Sequence, residues 1–316
     1  MQNQISDTVL MIRPASSFED NETAETNKYQ RAVQGLTPKQ LLEIALLEFD
    51  NFVDQLTQAH VNVLVEDDTV HTKTSGAIFP NNWITTHSDG KIITYPMLHE
   101  SRKPEVRLDI VERLKKQFGY KEWIRLDKYA SDSKARDKGL ALEGTGSIVF
   151  DHKNKVAYAA TSPRTNPSIL KELGEIINYD IEIFKALGAK GEPIYHTNVM
   201  MCIADEYVII GLDVIPDKQE RNQVFNRLKS TGREIIPISN DQLHQNFAGN
   251  MLQVRNKKGE KILIMSSSAY KSLSSFQIEL IETKYKNKII AMPINTVEVI
   301  GGGSARCMLA EIFVPD

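Results

Sequence analysis

Cys307 stands in VIGGGSARCMLAEIF (residues 299–313), directly after three consecutive glycines, Ser304, Ala305 and Arg306. A glycine run after an apolar stretch suits one of two chemistries. A phosphate loop aims the N-terminus of a following helix at an anion. A reactive thiol needs close approach of backbone and substrate, which glycine permits. Here the following CMLAEIF reads as a strand, and the run has neither the P-loop lysine nor GxGxxG spacing. Arg306 adds a positive charge that favours thiolate over the ~8.5 of a free thiol. The loop is therefore read as presenting Cys307. The other cysteine, Cys202 in VMMCIAD, reads as a small buried core residue.

A thiol needs partners from elsewhere in the chain, so the elements that bring them together come next. Short apolar runs flank polar turns in WITTHSDGKIITY, SIVFDHKNKVAYAA, VMMCIADEYVIIG and MLQVRNKKGEKILIM, each the pattern of a β-hairpin. After the hairpins come stretches with apolar residues three and four apart, such as Val106–Ile110–Leu114 and Ile169–Leu173–Ile176–Ile177, as in amphipathic helices. Short strands then lead to the next hairpin: EWIRL, EPIYH, EIIPI and KIIAMPI. The hairpins start at Trp83, Ser147, Val199 and Met251, and Met308 opens a fifth, cut unit. The orphan strand TVLMI near the N-terminus pairs with CMLAEIF in this reading. That pairing closes a ring and removes an exposed edge. The expected fold is α/β, a five-bladed propeller with pseudo-five-fold symmetry, residues 1–316 forming a single catalytic domain. The segments before the hairpin strands are FPNNW, LEGTGS, YHTNV, FAGNM and SARCM. A closed ring converges them near its axis, where Glu143, His196 and Cys307 meet: an acid, a base and a thiol.

Composition limits the partners. A net charge of −3 gives no electrostatic reason to expect nucleic acid or an anionic membrane. No apolar run approaches the roughly 20 residues that span a bilayer. MQNQISDTVLMIRP lacks a basic region followed by an apolar one, so no secretory signal is expected. Two cysteines without CxxC spacing give neither a disulfide framework nor a zinc site. A reduced, cytoplasmic protein is the expectation, with the oligomeric state, monomer or homo-oligomer, left open.

LEGTGS, YHTNVMM and GGGSARCM resemble the Leu-Glu-Gly, His and Gly-Gly-Gly…Cys motifs of the guanidino-group-modifying, or pentein, superfamily. Its members include arginine deiminase, dimethylarginine dimethylaminohydrolase and the amidinotransferases. The resemblance runs from MIRPASSF to CMLAEIF, and FPNNWITTH with NETAETNKYQ is most similar to a branch linked to citrulline hydrolysis. It implies the same five-bladed fold. It also implies a covalent route in which Cys307 attacks the substrate carbon, while His196 protonates the leaving amine and then activates water. Glu143 is placed either to orient His196 or to bind substrate nitrogens. Arg102 and Arg164, each in a loop after a second hairpin strand, suit a substrate carboxylate or are solvated loop arginines. Residues 14–35 form a long polar connection read as an active-site loop, with Asn21 and Asn27 as candidate substrate contacts. Asn81 and Asn82 of FPNNW join them, and His87 is either a site residue or a solvated turn residue.

Two positions depart from the superfamily pattern. Arginine deiminases carry an aspartate where this chain has Asn198, and another where it has His87. A guanidinium cation favours paired carboxylates, whereas carboxamides suit a neutral urea. Asp89 restores a carboxylate only if its loop bends inward. The expected activity is hydrolysis of a C–N bond in the ureido or guanidino group of a small amino acid, such as citrulline or an arginine derivative. No metal or organic cofactor is required. Amidino transfer by the same residues, and a catalytically silent binding module, are the alternatives.

Overall fold

The computed structural model describes residues 3–16, 21–31, 33, 35–69, 74, 76–131 and 140–315. Its strands form five three-stranded sheets. One holds β1 (Thr8–Arg13), β2 (Asn62–Asp67) and β15 (Ala310–Ile312). The second holds β3 (Ile84–Thr86), β4 (Lys91–Thr94) and β5 (Glu122–Arg125); the third β6 (Val149–Asp151), β7 (Val156–Ala160) and β8 (Asp180–Phe184). The fourth holds β9 (Met201–Ile203), β10 (Tyr207–Ile210) and β11 (Glu234–Pro237); the fifth β12 (Leu252–Arg255), β13 (Lys261–Ser266) and β14 (Asn287–Met292).

Every sheet repeats one plan. The central strand pairs antiparallel with one neighbour and parallel with the other. A parallel pair needs a helical crossover, and helices such as Pro38–Gln58, Leu108–Phe118 and Pro167–Ile177 supply it. Pro38–Gln58 begins with a capping box between Thr37 and Gln40 and buries Leu41, Ala45, Phe49, Phe52 and Leu56. That spacing of three and four residues puts one apolar stripe against the sheet, each large side chain stabilising the fold by about 1.5–3 kcal/mol. The two ends of the chain meet where β1 pairs with β15, Thr8 opposite Ile312. Strand contacts also link β15 to β3, β6 to β9 and β9 to β12, so the five sheets fit a propeller-like arrangement. Among the described residues, no helix is long and apolar enough to cross a membrane.

Two elements differ from their sequence-based expectation. EPIYH is not a strand. Helix Pro167–Ile177 ends on the left-handed Asn178, and β8 starts at once with Asp180. Pro193 has no N–H to donate to a ladder, and residues 187 and 193 form only an isolated bridge. CMLAEIF is a strand only from Ala310. Residues Ala305–Met308 make a 3-10 turn, closed by Cys307 N–H donating to the Ser304 carbonyl at 2.9 Å. Comparable turns precede β3 (Pro80–Asn82), β6 (Gly144–Ser147) and β9 (Thr197–Val199). These turns touch one another, and they carry the candidate site residues.

Candidate active site

The glycine run belongs to the end of a helix. Helix Asn295–Gly301 stops at Gly302, whose φ of 60° is left-handed. A helix C-terminus exposes carbonyls and repels anions, so a phosphate site is unsuited here. The glycines instead make room. A Cβ on Gly301 would lie 2.6 Å from the Phe79 ring, and one on Gly302 would lie 2.6 Å from Asn27 Nδ2. Chain and ring thus pack tightly behind the turn that carries Cys307.

Two carboxamides hold the Cys307 sulfur. Asn250 Nδ2 donates at 3.3 Å and Asn198 Nδ2 at 3.5 Å. Burial pushes the thiol above its ordinary value, against the Ser304 backbone contact, Asn250, Asn198 and, last, Arg306. Arg306 acts in the expected direction, but its effect is the smallest of these, and burial outweighs it. The Arg306 guanidinium donates to the Leu309 carbonyl at 2.7 Å and pairs with Glu311 at 2.8 Å, so its charge is already matched. Cys202 is buried on β9, its thiol pushed up to about 12 by burial.

Cys307 and His196 line one cavity. His196 Nε2 lies 2.8 Å from Glu143 Oε2. The same Oε2 accepts from Arg102 Nη1 and Arg164 Nη1, both at 3.3 Å, and Oε1 accepts from Leu98 N–H at 3.1 Å. Glu143 is wholly buried. Burial would raise its pKa, but Arg164, the His196 hydrogen bond and Arg102 hold it well below the usual carboxylate range. Burial in turn pulls His196 below its ordinary value, to about 4; the Glu143 hydrogen bond and charge offset this only in part, and Arg164 and Arg102 add smaller lowering effects. A neutral imidazole that donates Nε2–H to Glu143 keeps its lone pair on Nδ1. Tyr195 packs beside His196 (ring centroids 4.6 Å apart) and donates its hydroxyl to the Gly302 carbonyl at 2.5 Å.

Arg102 and Arg164 line the cavity from buried positions, not solvated loops. Arg102 binds Glu105 through Nε at 3.0 Å and Nη2 at 2.7 Å, so its fork is already engaged by an internal carboxylate. Arg164 ties Glu143 to the 21–31 segment, with Nη2 donating to the Thr23 carbonyl at 3.2 Å and Thr26 Oγ1 at 2.8 Å. Asn82 also lines the cavity. In the orientation that satisfies both ends of its amide, it accepts from Arg102 at 3.1 and 3.2 Å and donates to Asn81 Oδ1 at 3.1 Å.

Other expected contacts lie elsewhere. Asn81 is buried and is not among the cavity's lining residues. His87 is neither solvated nor at the cavity: it packs edge-on against Phe150 and His152, and burial lowers its pKa to about 4. Asp89 points outward and pairs with Lys91 at 2.5 Å, so it restores no carboxylate to the site. Asn27 reaches the cavity wall, but both ends of its amide are internal: Nδ2 donates to the Gly302 carbonyl at 3.1 Å and Oδ1 accepts from Tyr29 N–H at 3.1 Å. Asn21 opens the helical turn Asn21–Ala24; its side chain lies outside the described residues. So do residues 17–20, 32 and 34 of the 14–35 segment, while Thr23, Asn27 and Gln30 line the cavity.

Sequence reasoning passed over Asn250, Tyr195, Phe79 and Glu105. A signal existed for Asn250. Asn82, Asn198, Asn250 and Cys307 each immediately precede a hairpin start, so the repeat places them at one equivalent position.

The model of a family described as N,N dimethylarginine dimethylhydrolase, eukaryotic, matches residues 13–314. No curated protein matches by sequence. Among solved structures, the fold is similar to the N-terminal domain of ArgZ, an arginine dihydrolase from the ornithine–ammonia cycle in Cyanobacteria. That match has a TM-score of 0.69 at 16% identity, covering 97% of this chain and 99% of that one. An AgrE mutant in complex with L-arginine matches at TM-score 0.71 and 17% identity, over 98% of this chain and 40% of that one. A dimethylarginine dimethylaminohydrolase adduct with 4-chloro-2-hydroxymethylpyridine matches at TM-score 0.65 and 13% identity, over 98% and 100%.

Proposed function

The chain belongs to the N,N dimethylarginine dimethylhydrolase family, pentein enzymes that hydrolyse guanidino C–N bonds, and we propose that its own substrate is a small amino acid with a neutral ureido group, such as citrulline. One observation carries this reading. The cavity around Cys307 and His196 is lined by two guanidinium groups, Arg102 and Arg164, and by no carboxylate among the described residues. Glu143 is occupied by His196 and both arginines. A substrate guanidinium would enter as a third cation with no counter-ion, a costly burial. A neutral ureido group needs only hydrogen bonds.

Cys307 Sγ attacks the ureido carbon, and its proton passes to His196. His196 returns the proton to the terminal nitrogen, which leaves as ammonia, and the carbon remains bound to sulfur as a thiocarbamate. Water, deprotonated by His196, then attacks this carbon; the C–S bond breaks, and the thiol is restored. The carbamate product loses carbon dioxide to give the free amine. Thiol, imidazole and water suffice for these steps. Glu143 orients His196 and steadies its protonated form.

The five sheets are read as the blades of one closed propeller, and residues 1–316 as one catalytic unit with the 14–35 segment covering the site. The pairing of β1 with β15 supports that reading. A guanidino substrate is the second reading, favoured by the family match and by the likeness to arginine-binding proteins. Mass-spectrometric product analysis over citrulline, arginine, methylated arginines, agmatine and N-acylated arginines separates the two. Added amine acceptors report amidino transfer. Turnover of citrulline above that of arginine is expected; exclusive turnover of a guanidino compound would overturn the ureido assignment.

A further inference from the structure

We infer that Asn250 is a catalytic residue: its carboxamide, paired with that of Asn198, cradles Cys307 Sγ and stabilises it as the attacking thiolate. The inference rests on Cys307 being the nucleophile in the reading above. The geometry of the pair carries it. Asn250 Nδ2 lies 3.3 Å from Sγ and Asn198 Nδ2 lies 3.5 Å from it. The corresponding oxygens are farther away, at 3.6 and 4.0 Å. The nearer atoms are thus N–H donors from two sides, the polarity that a sulfur anion requires and a neutral S–H does not.

The arrangement is built into the backbone. Asn250 is wholly buried, and its Nδ2 is held a second time by the Asn198 carbonyl at 3.0 Å. Phe247 adopts a left-handed φ of 53°, and Asn250 N–H closes the turn onto the Phe247 carbonyl at 2.8 Å. The residue between the turn and Asn250 is Gly249, where a Cβ would lie 2.3 Å from the Val199 carbonyl oxygen. The FAGN turn is thereby pressed against the YHTN turn at Thr197–Val199, and both carboxamides reach Cys307 Sγ. The repeat supplies a second, independent observation. Asn198, Asn250 and Cys307 occupy the same position in successive units, one residue ahead of Val199, Met251 and Met308. Equivalent positions in neighbouring units converge, so two of these units furnish donors to the thiol of the third.

A Ser304 backbone contact acts on the sulfur in the same direction, and the two carboxamides are the side chains that donate to it among the described residues. The Arg306 guanidinium is matched by Glu311 and turned to the Leu309 carbonyl. On ionisation the Sγ proton leaves for His196, and the two N–H groups receive the charge. Neutral donors of this kind stabilise the thiolate without adding a charge next to a neutral ureido carbon.

Iodoacetamide modification of Cys307, followed by peptide mass spectrometry across pH, reads the thiolate fraction without any substrate. In Asn250→Ala the midpoint moves up. Below it, Cys307 is alkylated about tenfold or more slowly than in the wild type, the effect of one hydrogen bond to a charged group; above it, the limiting rate is unchanged. Asn250→Asp, nearly isosteric, moves the midpoint further in the same direction and serves if the alanine variant does not fold. Coincident profiles in folded variants, or a downward shift, overturn the inference. Turnover is scored separately. An Asn250-dependent profile in a protein that hydrolyses no ureido or guanidino compound supports the cradle and removes the functional reading. Hydrolysis with an Asn250-independent profile does the opposite.

Discussion

Glu143→Gln replaces one carboxylate oxygen by an amide nitrogen where four donors meet. Glu143 accepts from His196 Nε2 at 2.8 Å, from Arg102 and Arg164 at 3.3 Å each, and from Leu98 N–H at 3.1 Å, all in a wholly buried setting. Glutamine keeps the shape but removes the charge, and its NH2 group must face at least one of those donors. Arg102 retains Glu105. Arg164 loses its one carboxylate partner among the described residues. Removing one partner of a buried ion network costs about 3–5 kcal/mol, so Tm falls by roughly 10 °C. His196 also loses the anion that supports its protonated form, and kcat falls by roughly a hundred- to ten-thousand-fold, the range of acid–base catalysis. Thermal melts and steady-state kinetics read both effects. A double-mutant cycle with Arg164→Gln reads the coupling: removal of both partners costs less than the sum by about 1–3 kcal/mol. A wild-type Tm and kcat in Glu143→Gln, with an additive cycle, would refute the charged-hub assignment.

Acid should destabilise the fold before its carboxylates titrate. His87 is held neutral down to about 4 by burial, whereas an unfolded imidazole takes its proton near 6.5. Its environment therefore costs no stability above about 6.5, and stability declines as pH falls from there towards 4, by about 3 kcal/mol from this group. Urea unfolding at pH 7 and pH 4.5 checks this; His87→Phe should flatten the decline, and an equally steep decline in that variant would contradict it. Gly302→Ala meets both a left-handed φ and a Cβ 2.6 Å from Asn27 Nδ2, so about 1–3 kcal/mol of stability and most of the activity are lost. Gly259→Ala, with φ 79° but open space around it, keeps kcat at the wild-type value. Equal kcat losses in the two glycine variants would argue against a positioning role for the glycine turn.

How much was legible in the sequence follows from what each segment had to contrast with. The hairpins stood out because β-rich runs bracket polar turns, and the pairing of TVLMI with the end of the chain followed from the unmatched edge. EPIYH was misread because Ile and Tyr resemble a strand locally, while Pro193 and the early start of β8 are decided by the end of the preceding helix. CMLAEIF was misread because Met308 and Leu309 are apolar for burial, and a 3-10 turn has no composition of its own. At the site, Cys307, His196 and Glu143 were visible as titratable types at matching places in the repeat. Asn250 was not, since a neutral amide carries no such flag and only its position beside Asn198 marks it. His87 was misplaced for the same reason in reverse. A polar turn sequence, HSDG, conceals that its imidazole folds back onto Phe150 and His152.

Citrulline labelled with carbon-13 at the ureido carbon tests the central claim most directly. NMR should show the label leaving as bicarbonate, with free amine formed in equal amount, in the wild type and in Cys202→Ser. Cys307→Ser should release none above background, because the weaker nucleophile costs several powers of ten. Label retained on the amino acid with wild-type enzyme, or released at the same rate by Cys307→Ser, would contradict a Cys307-dependent ureido hydrolase.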